Sequence, residues 1–104
     1  MGQLRPTAVF GTVDEWAIGA IQYAKTVGLR VPEDLSVLGM NDLEIASICD
    51  PALTTVRIHR GEMGRMAVRR LSDLIQHIDE EPKRIDVLCE LIVRASCGKA
   101  PETS

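Results

Sequence analysis

Along the first forty residues, the apolar positions form a short unbroken run, then a series at helical spacing, and then a second unbroken run. Residues 7–10, TAVF, are β-prone, and the apolar positions that follow recur at 17, 18, 21, 24 and 27. This pattern predicts a strand and then an amphipathic helix. Thr12 and Glu15 have the spacing of a capping box, which would start the helix at Thr12. Gly28 stands where a left-handed residue would end it.

Residues 35–40, LSVLGM, form a second apolar run. They are apolar along most of their length, which is typical of a strand covered on both faces in a parallel sheet. A helix of about 14 residues between two such strands predicts a right-handed βαβ unit. The pattern next predicts a short helix, DLEIASI, with Asp42 as its cap, and a third strand at residues 53–58, LTTVRI.

The second half of the chain predicts another amphipathic helix. Its apolar stripe at steps of three and four covers residues 60–78 and consists of Met63, Ala67, Leu71, Leu74 and Ile78. Residues 85–96 resemble one long or two short strands, and residues 99–104 form a polar, loose tail. The fold class is therefore α/β, a parallel-sheet βαβ arrangement. The predicted elements are about five strands, two helices and a short third helix. These helices leave one face of the sheet poorly covered, so its remaining apolar surface must be buried against a part outside these elements.

Composition narrows the classes of function. A net charge of −3 and a pI near 5.3 argue against nucleic acid as a direct partner of this chain. The sequence has neither a membrane-length apolar run nor a signal-peptide core, so we expect a cytoplasmic protein without membrane contact. Three cysteines, none of them two residues apart, favour reduced thiols over disulfides or zinc. No metal and no cofactor is predicted.

Four sequence blocks, in this order, resemble the C-terminal portion of the effector-binding domain of LacI/GalR-type transcriptional regulators. They are PTAVFGTVDEWAIGAI, GLRVPEDLSVLGMND, DPALTTVRIHRGEMGRMAVRRL and LIVRASCG. The resemblance implies a periplasmic-binding-protein type I fold, in which crossover strands join two α/β subdomains and a sugar or other small effector lies between them. Residues 1–104 would be a partial effector-binding domain of a non-enzymatic regulator.

The resemblance also implies how the chain divides. Residues 6–52 and 91–96 would belong to the C-terminal subdomain, residues 53–58 would cross the hinge, and residues 60–88 would belong to the N-terminal subdomain. The sheet that covers the helix 60–78 would lie outside this chain. DNA would be bound only through a helix-turn-helix in a missing N-terminal domain.

Ligands of open parallel sheets bind beyond the carboxyl ends of the strands, here at residues 11–14 and 40–44. The family usually has an asparagine and an aspartate in the first loop, where this chain has Val13 and Asp14. Valine cannot form the polar contact, and Asp14 is either a ligand contact or a helix-start residue. In the second loop the usual pair of aspartates is replaced by Asn41 and Asp42. Asn41 is either a neutral ligand contact or a turn residue.

Trp16 would either stack on a sugar or belong to the core or an interface. The resemblance further implies a homodimer, formed through the positions Ile18, Gln22, Ile45, Ile48 and Cys49. Two other functions stay open at this stage. The chain could be a module that binds no ligand and only self-associates, or a small flavodoxin-like phosphoacceptor that holds Mg²⁺ with Asp14 and Asp42. Against the latter, Arg57, His59 and Arg60 occupy the place of the expected lysine.

Overall fold

Strands and helices alternate along residues 6–102, which are the residues that the computed structural model describes. The strands are β1 (Ala8–Phe10), β2 (Ser36–Met40), β3 (Thr54–Arg57) and β4 (Glu90–Ile92). The helices are α1 (Asp14–Thr26), α2 (Glu44–Ile48) and α3 (Arg60–Ile75). The alternation of strands with helices confirms the predicted α/β class.

The strands form one sheet in the order β1-β2-β3-β4. The first three are parallel, with Val9 beside Val37 and Leu38 beside Thr54. The fourth strand is antiparallel to β3, with Arg57 opposite Glu90. Because the three parallel strands point the same way, the loops that follow β1 and β2 and the end of β3 meet at one edge, called the carboxyl edge below.

A small aliphatic core fixes α1 on the sheet. Ala17, Ile21 and Ala24 lie on the inner face of α1 and are buried together with Val37 of β2. Leu35, Ala46 and Leu53 complete the core. Burying one side chain of valine or leucine size contributes about 1.5 to 3 kcal/mol, so this cluster holds the first turn of α1 beside the carboxyl edge.

The predicted helix starts are wrong in two places, whereas the end of α1 is confirmed. Helix α1 starts at Asp14 with Val13 as its N-cap, and no side chain caps it, so Thr12 and Glu15 form no capping box. Helix α2 has Leu43 as its N-cap instead of Asp42. Asp42 cannot be the cap because its carboxylate is paired with two arginines. Gly28 does adopt the left-handed conformation, with φ +80°.

The second half of the chain is shorter in regular structure than predicted. Helix α3 ends at Ile75, and residues 85–88 form no strand. A strand needs a neighbour for its backbone N–H and C=O groups. Residues 90–92 have one in β3, but no described strand pairs with residues 85–88. Within residues 6–102 the sheet therefore has four strands, where about five were expected.

Residues 6–102 fall into two compact units. One contains the chain up to Arg57 and again from Glu90 onward, which includes the sheet, α1 and α2. The other is Ile58–Cys89, which contains α3. The chain leaves the first unit at the end of β3 and returns at β4. The assignment of these segments to two subdomains and a hinge stays a prediction. The predicted tail includes residues 103 and 104, which lie outside the described residues.

Within the second unit, the apolar stripe of α3 is uncovered. No residue of α3 is buried, and Met63, Leu71 and Leu74 are exposed. The polar side of the unit is organised by Arg70, whose guanidinium donates hydrogen bonds to the carbonyls of Asp79 and Glu81. An amphipathic helix gains most of its stability by burying its apolar face. The stripe is therefore exposed, and the expectation that a sheet outside this chain covers it stays a prediction.

Candidate functional site

Two glycines let α1 approach the strands closely at the carboxyl edge. A Cβ atom on Gly11, just after β1, would lie 2.7 Å from the backbone nitrogen of Ala17. A Cβ atom on Gly39 in β2 would lie 2.8 Å from Cδ2 of Leu53 and would overlap Oδ1 of Asp14. These distances are shorter than real Cβ contacts, so any larger residue would push the first turn of α1 away from the sheet.

Asp14 is fully buried and connects three elements at this edge. Its Oδ1 accepts a hydrogen bond of 2.7 Å from the hydroxyl of Thr55 in β3. Its Oδ2 accepts one of 2.6 Å from the backbone N–H of Leu43, which precedes α2. A buried carboxylate is tolerated only with such partners. The structure therefore places Asp14 beneath the surface of the candidate site, where it fixes the loop between β2 and α2.

Asn41 and Asp42 turn the chain out of β2 through left-handed backbone conformations, with φ of 111° and 55°. Asparagine and aspartate adopt this region more readily than most residues. The backbone N–H of Asn41 donates to the carbonyl of Val56 at 2.9 Å, and that of Asp42 to the hydroxyl of Thr55 at 3.3 Å. The loop is thus fastened to β3. Within residues 6–102 the half-buried side-chain amide of Asn41 forms no hydrogen bond.

Asp42 forms ion pairs with two arginines, one at the end of β3 and one just beyond β4. Arg57 Nε lies 2.8 Å from its Oδ2, and Arg94 Nη2 lies 2.7 Å from its Oδ1. The Asp42 side chain is only 8% exposed. Burial raises the pKa of Asp42, but the two guanidiniums together outweigh burial, so its pKa lies below the ordinary 3.8. Arg94 also donates to the carbonyl of Leu53 at 3.0 Å, which fixes its position.

The remaining predicted ligand residues lie at the start of α1. Val13 is half-buried and occupies the N-cap position. Trp16 is 69% exposed, so it is not part of the core. Stacking on a ligand and contact with a partner remain the two interpretations of Trp16. Of the predicted residues, Asp14 and the loop of Asn41 are brought together directly, through the hydrogen bond to Leu43.

The predicted dimer residues are exposed to different degrees. Ile45 and Ile48 of α2 and Gln22 of α1 are exposed, whereas Ile18 and Cys49 are half-buried. Ile18 and Cys49 pack against the edge of the core. The Cys49 thiol donates weakly to the carbonyl of Pro51 at 3.3 Å. Ile45 and Ile48 are therefore the residues of this set that offer the most apolar surface.

Sequence reasoning did not identify Thr55, Arg57 and Arg94 as parts of this site. Arg57 was noticed only as a poor substitute for a lysine. Thr55 and Arg94 gave no signal, because their partners Asp14 and Asp42 are 41 and 52 positions away in the sequence. Among residues 6–102, no three His, Cys, Asp or Glu side chains lie close enough together to hold a metal ion. None of the helices in the described part of the chain has the length and apolar character needed to cross a membrane.

The chain belongs to the family of the periplasmic binding protein-like domain, whose model matches residues 1–97. It corresponds to part of the effector-binding domain of LacI-type regulators, which confirms the resemblance drawn from the sequence. The HTH-type transcriptional repressor CytR of Escherichia coli (strain K12) is 44% identical over 98 residues. The match covers 92% of this chain but 28% of that repressor. The chain therefore spans about a quarter of the length of this relative.

Solved structures have the same fold. The transcriptional regulator CelR in complex with cellobiose superimposes with a TM-score of 0.82 at 36% identity, covering 86% of this chain and 28% of CelR. The lac repressor dimer bound to operator and the anti-inducer ONPF gives a TM-score of 0.81 at 33% identity, covering 88% of this chain and 32% of that one. Both support the α/β fold described above.

Proposed function

We propose that this chain is the ligand-sensing part of a LacI-type transcriptional regulator and that it binds a small polar effector at the carboxyl edge. The observation that carries the proposal is the side-chain amide of Asn41, which is unpaired within residues 6–102. It lies on a loop whose backbone is hydrogen-bonded to Asp14. The loop is also fixed by the ion pairs of Asp42 with Arg57 and Arg94. A polar group held on a fixed loop is suited to orient a ligand. CelR, solved with cellobiose, supports a sugar-like effector.

The same loop could couple binding to a change of conformation. Through Asp42 it is tied to Arg57 at the end of β3 and to Arg94 just beyond β4. The chain passes into the second unit directly after Arg57 and returns directly before Glu90. A ligand shifts the population of two conformations only by its difference in affinity for them. An effector that contacts Asn41 would act on the loop attached to both connecting strands.

The test is a titration that follows Trp16, the single tryptophan of the chain. Mono- and disaccharides, including cellobiose, are added to the protein, and tryptophan fluorescence and heat of binding are measured. We expect one of them to produce a saturable signal. Asn41→Ala should weaken its binding by roughly threefold to tenfold, the value of one neutral hydrogen bond.

Ser47→Ala is the matched control, because Ser47 lies on the neighbouring helix α2 and its hydroxyl donates only to the carbonyl of Glu44. Its affinity should equal that of the unchanged protein. Equal affinity of Asn41→Ala and Ser47→Ala would show that Asn41 is not a ligand contact. A complete absence of binding would favour the module that only self-associates.

The proposal includes a homodimer formed through α2, a cytoplasmic location and no catalytic activity. The lac repressor, solved as a dimer on its operator, supports the dimer. CytR is a transcriptional repressor, which supports a role in regulation without catalysis. Any contact with DNA is assigned to a separate helix-turn-helix part of the complete regulator.

A Mg²⁺-dependent phosphoacceptor is a poor alternative. Both carboxylate oxygens of Asp14 already accept hydrogen bonds inside the protein. Asp42 is held by Arg57 and Arg94, whose positive charges would repel a divalent cation. Neither carboxylate is therefore presented to a metal ion.

A further inference from the structure

We propose that the effector carries an anionic oxygen group, a phosphate or a carboxylate, and that Arg57 and Asn41 bind it at the carboxyl edge. The proposal rests on the proposed function and specifies the chemical class of its ligand. Its basis is a count of the hydrogen-bonding groups that the folded chain leaves unused at this edge.

The two carboxylates behind the loop are too deeply buried to accept hydrogen bonds from a ligand. Asp14 accepts from the hydroxyl of Thr55 and from the N–H of Leu43, and its side chain is fully buried. Asp42 faces Arg57 with one oxygen and Arg94 with the other. A neutral sugar is commonly held by charged acceptors for its hydroxyls, because such bonds are about twice as strong as neutral ones. Neither of these carboxylates can serve in that way.

Arg57, by contrast, has donors to spare. Its Nε is paired with Asp42, whereas its two Nη groups form no hydrogen bond within residues 6–102. The side chain is 45% exposed, so these groups reach solvent. A guanidinium presents parallel N–H groups that match the two oxygens of a carboxylate or a phosphate. The ion pair with Asp42 restrains the guanidinium, which lowers the entropy lost when a ligand binds.

The charge of the cluster favours the same kind of ligand. The charges of Arg57 and Arg94 are balanced by the carboxylates of Asp14 and Asp42, but both carboxylates are buried, whereas the Arg57 side chain is 45% exposed and presents its positive charge to solvent. Asn41, next in sequence to Asp42, adds amide donors without negative charge. Glu90, opposite Arg57 in the sheet, is engaged in a polar interaction of its own. The carboxylates of Glu15 and Glu44, in the first turns of α1 and α2, are exposed and screened by water.

The experiment compares three sugars that share the same pyranose ring and differ in the charge of the group at carbon 6. Glucose, glucuronate and glucose 6-phosphate are titrated into the protein, with Trp16 fluorescence and heat of binding as readouts. We expect at least one of the two anionic sugars to bind about tenfold more tightly than glucose, the difference made by charge-assisted hydrogen bonds. Glucuronate and glucose 6-phosphate distinguish a carboxylate from a phosphate as the recognised group.

Four variants assign the effect to the named residues. Arg57→Gln should reduce the preference for the anionic sugar to about twofold or less, and Arg57→Lys, which keeps the charge but lacks the parallel N–H groups, should retain a smaller preference than arginine gives. Asn41→Asp should weaken the binding of the anionic sugar, because it places a negative charge beside the anionic group of the ligand. Arg30→Gln is the charge-matched control, because Arg30 precedes β2 at the opposite edge of the sheet and pairs with Asp34 on the surface. Circular dichroism of each variant verifies that it is folded.

The outcomes separate this inference from the proposed function. Tight binding of an anionic sugar that is lost in Arg57→Gln, partly kept in Arg57→Lys and unchanged in Arg30→Gln supports the inference. Glucose binding as tightly as both anionic sugars, or an anionic preference that survives Arg57→Gln, overturns it and leaves ligand sensing intact. If none of the three sugars gives a signal, the inference is contradicted, whereas the proposed ligand sensing is contradicted only if the panel of mono- and disaccharides, including cellobiose, also gives none.

Discussion

Asp42 is the residue on which the carboxyl edge depends most strongly, because it holds together parts of the chain that are far apart in sequence. Its carboxylate connects the loop after β2 to Arg57 at the end of β3 and to Arg94 beyond β4. Burial alone would favour the protonated acid, whereas the two guanidiniums favour the ionised form and prevail. The pKa of Asp42 is therefore lower in the folded than in the unfolded chain.

That difference makes the stability of the protein depend on pH. A carboxylate with a lowered folded pKa stabilises the fold fully above its unfolded pKa, near 3.8, and loses this contribution as the pH falls through the folded pKa. Urea unfolding at a series of pH values should show Asp42→Asn to be less stable than the unchanged protein at neutral pH. The difference in the free energy of unfolding between Asp42→Asn and the unchanged protein should become smaller below about pH 3.8.

Glu15→Gln, which removes an exposed carboxylate from the first turn of α1, serves as the control and should cost little at neutral pH. A gap between Asp42→Asn and the unchanged protein that is equally wide at neutral and at strongly acidic pH would refute the ionic role of Asp42.

The two aspartates of the site also show which properties of a residue a sequence reveals. That Asp14 and Asp42 follow strands at the carboxyl edge was predictable, because the apolar runs define the strands and the strands define the edge. Their roles were not, since each role depends on a distant partner: Thr55 for Asp14, and Arg57 and Arg94 for Asp42. The sequence shows only the neighbours of Asp42 along the chain, and these neighbours favour a helix cap.

At the scale of elements, α1 can approach β2 closely because a glycine, which has no side chain, lies at their point of contact. Gly39 lies in β2 where a methyl group would strike Leu53 and Asp14, whereas Gly19 lies in the middle of α1 with no atom within 4 Å of an added Cβ. Packing therefore requires glycine at position 39 but not at position 19.

Substituting alanine at each of these glycines should have opposite effects. Gly39→Ala should lower the free energy of unfolding by about 2 kcal/mol or more, because an overfilled core must shift backbone or side chains. Gly19→Ala should raise it by about 0.5 to 1 kcal/mol, because alanine has the higher helix propensity and meets no obstacle. Chemical denaturation of both variants against the unchanged chain measures the difference. If Gly39→Ala were as stable as Gly19→Ala, the close contact between α1 and β2 would be disproved.

Periodicity and apolar runs predicted α1, β2 and β3 because each of these elements buries side chains within the same unit, so that its apolar positions indicate where its neighbours lie. The prediction failed where the neighbour is not in the described chain. Residues 85–88 have strand-like composition, but a strand forms only when a second strand satisfies its backbone, and none of the described strands pairs with them. For the same reason α3 was predictable as a helix from its stripe, although the structure shows the stripe uncovered.

At the scale of the whole molecule, the apolar surfaces of α2 and α3 are candidates for association among the exposed apolar side chains of residues 6–102. On α2, Ile48 is 70% exposed beside the exposed Ile45. On α3, Ile75 is 68% exposed near Leu71 and Leu74. Covering Ile45 and Ile48 completely would contribute about 3 kcal/mol. The proposed homodimer uses the α2 surface, whereas a module that only self-associates would use the uncovered stripe of α3.

Two matched substitutions distinguish these surfaces. If the dimer forms through α2, Ile48→Glu should raise the dimer dissociation constant by about tenfold or more, since one lost tenfold corresponds to about 1.4 kcal/mol. Ile75→Glu should then leave the constant unchanged. Because both side chains are already exposed, neither substitution disturbs the core, and sedimentation velocity over a range of concentrations measures the association directly. The opposite result, a monomer with Ile75→Glu and an unaffected dimer with Ile48→Glu, would assign self-association to α3 and remove the support for the proposed α2 interface.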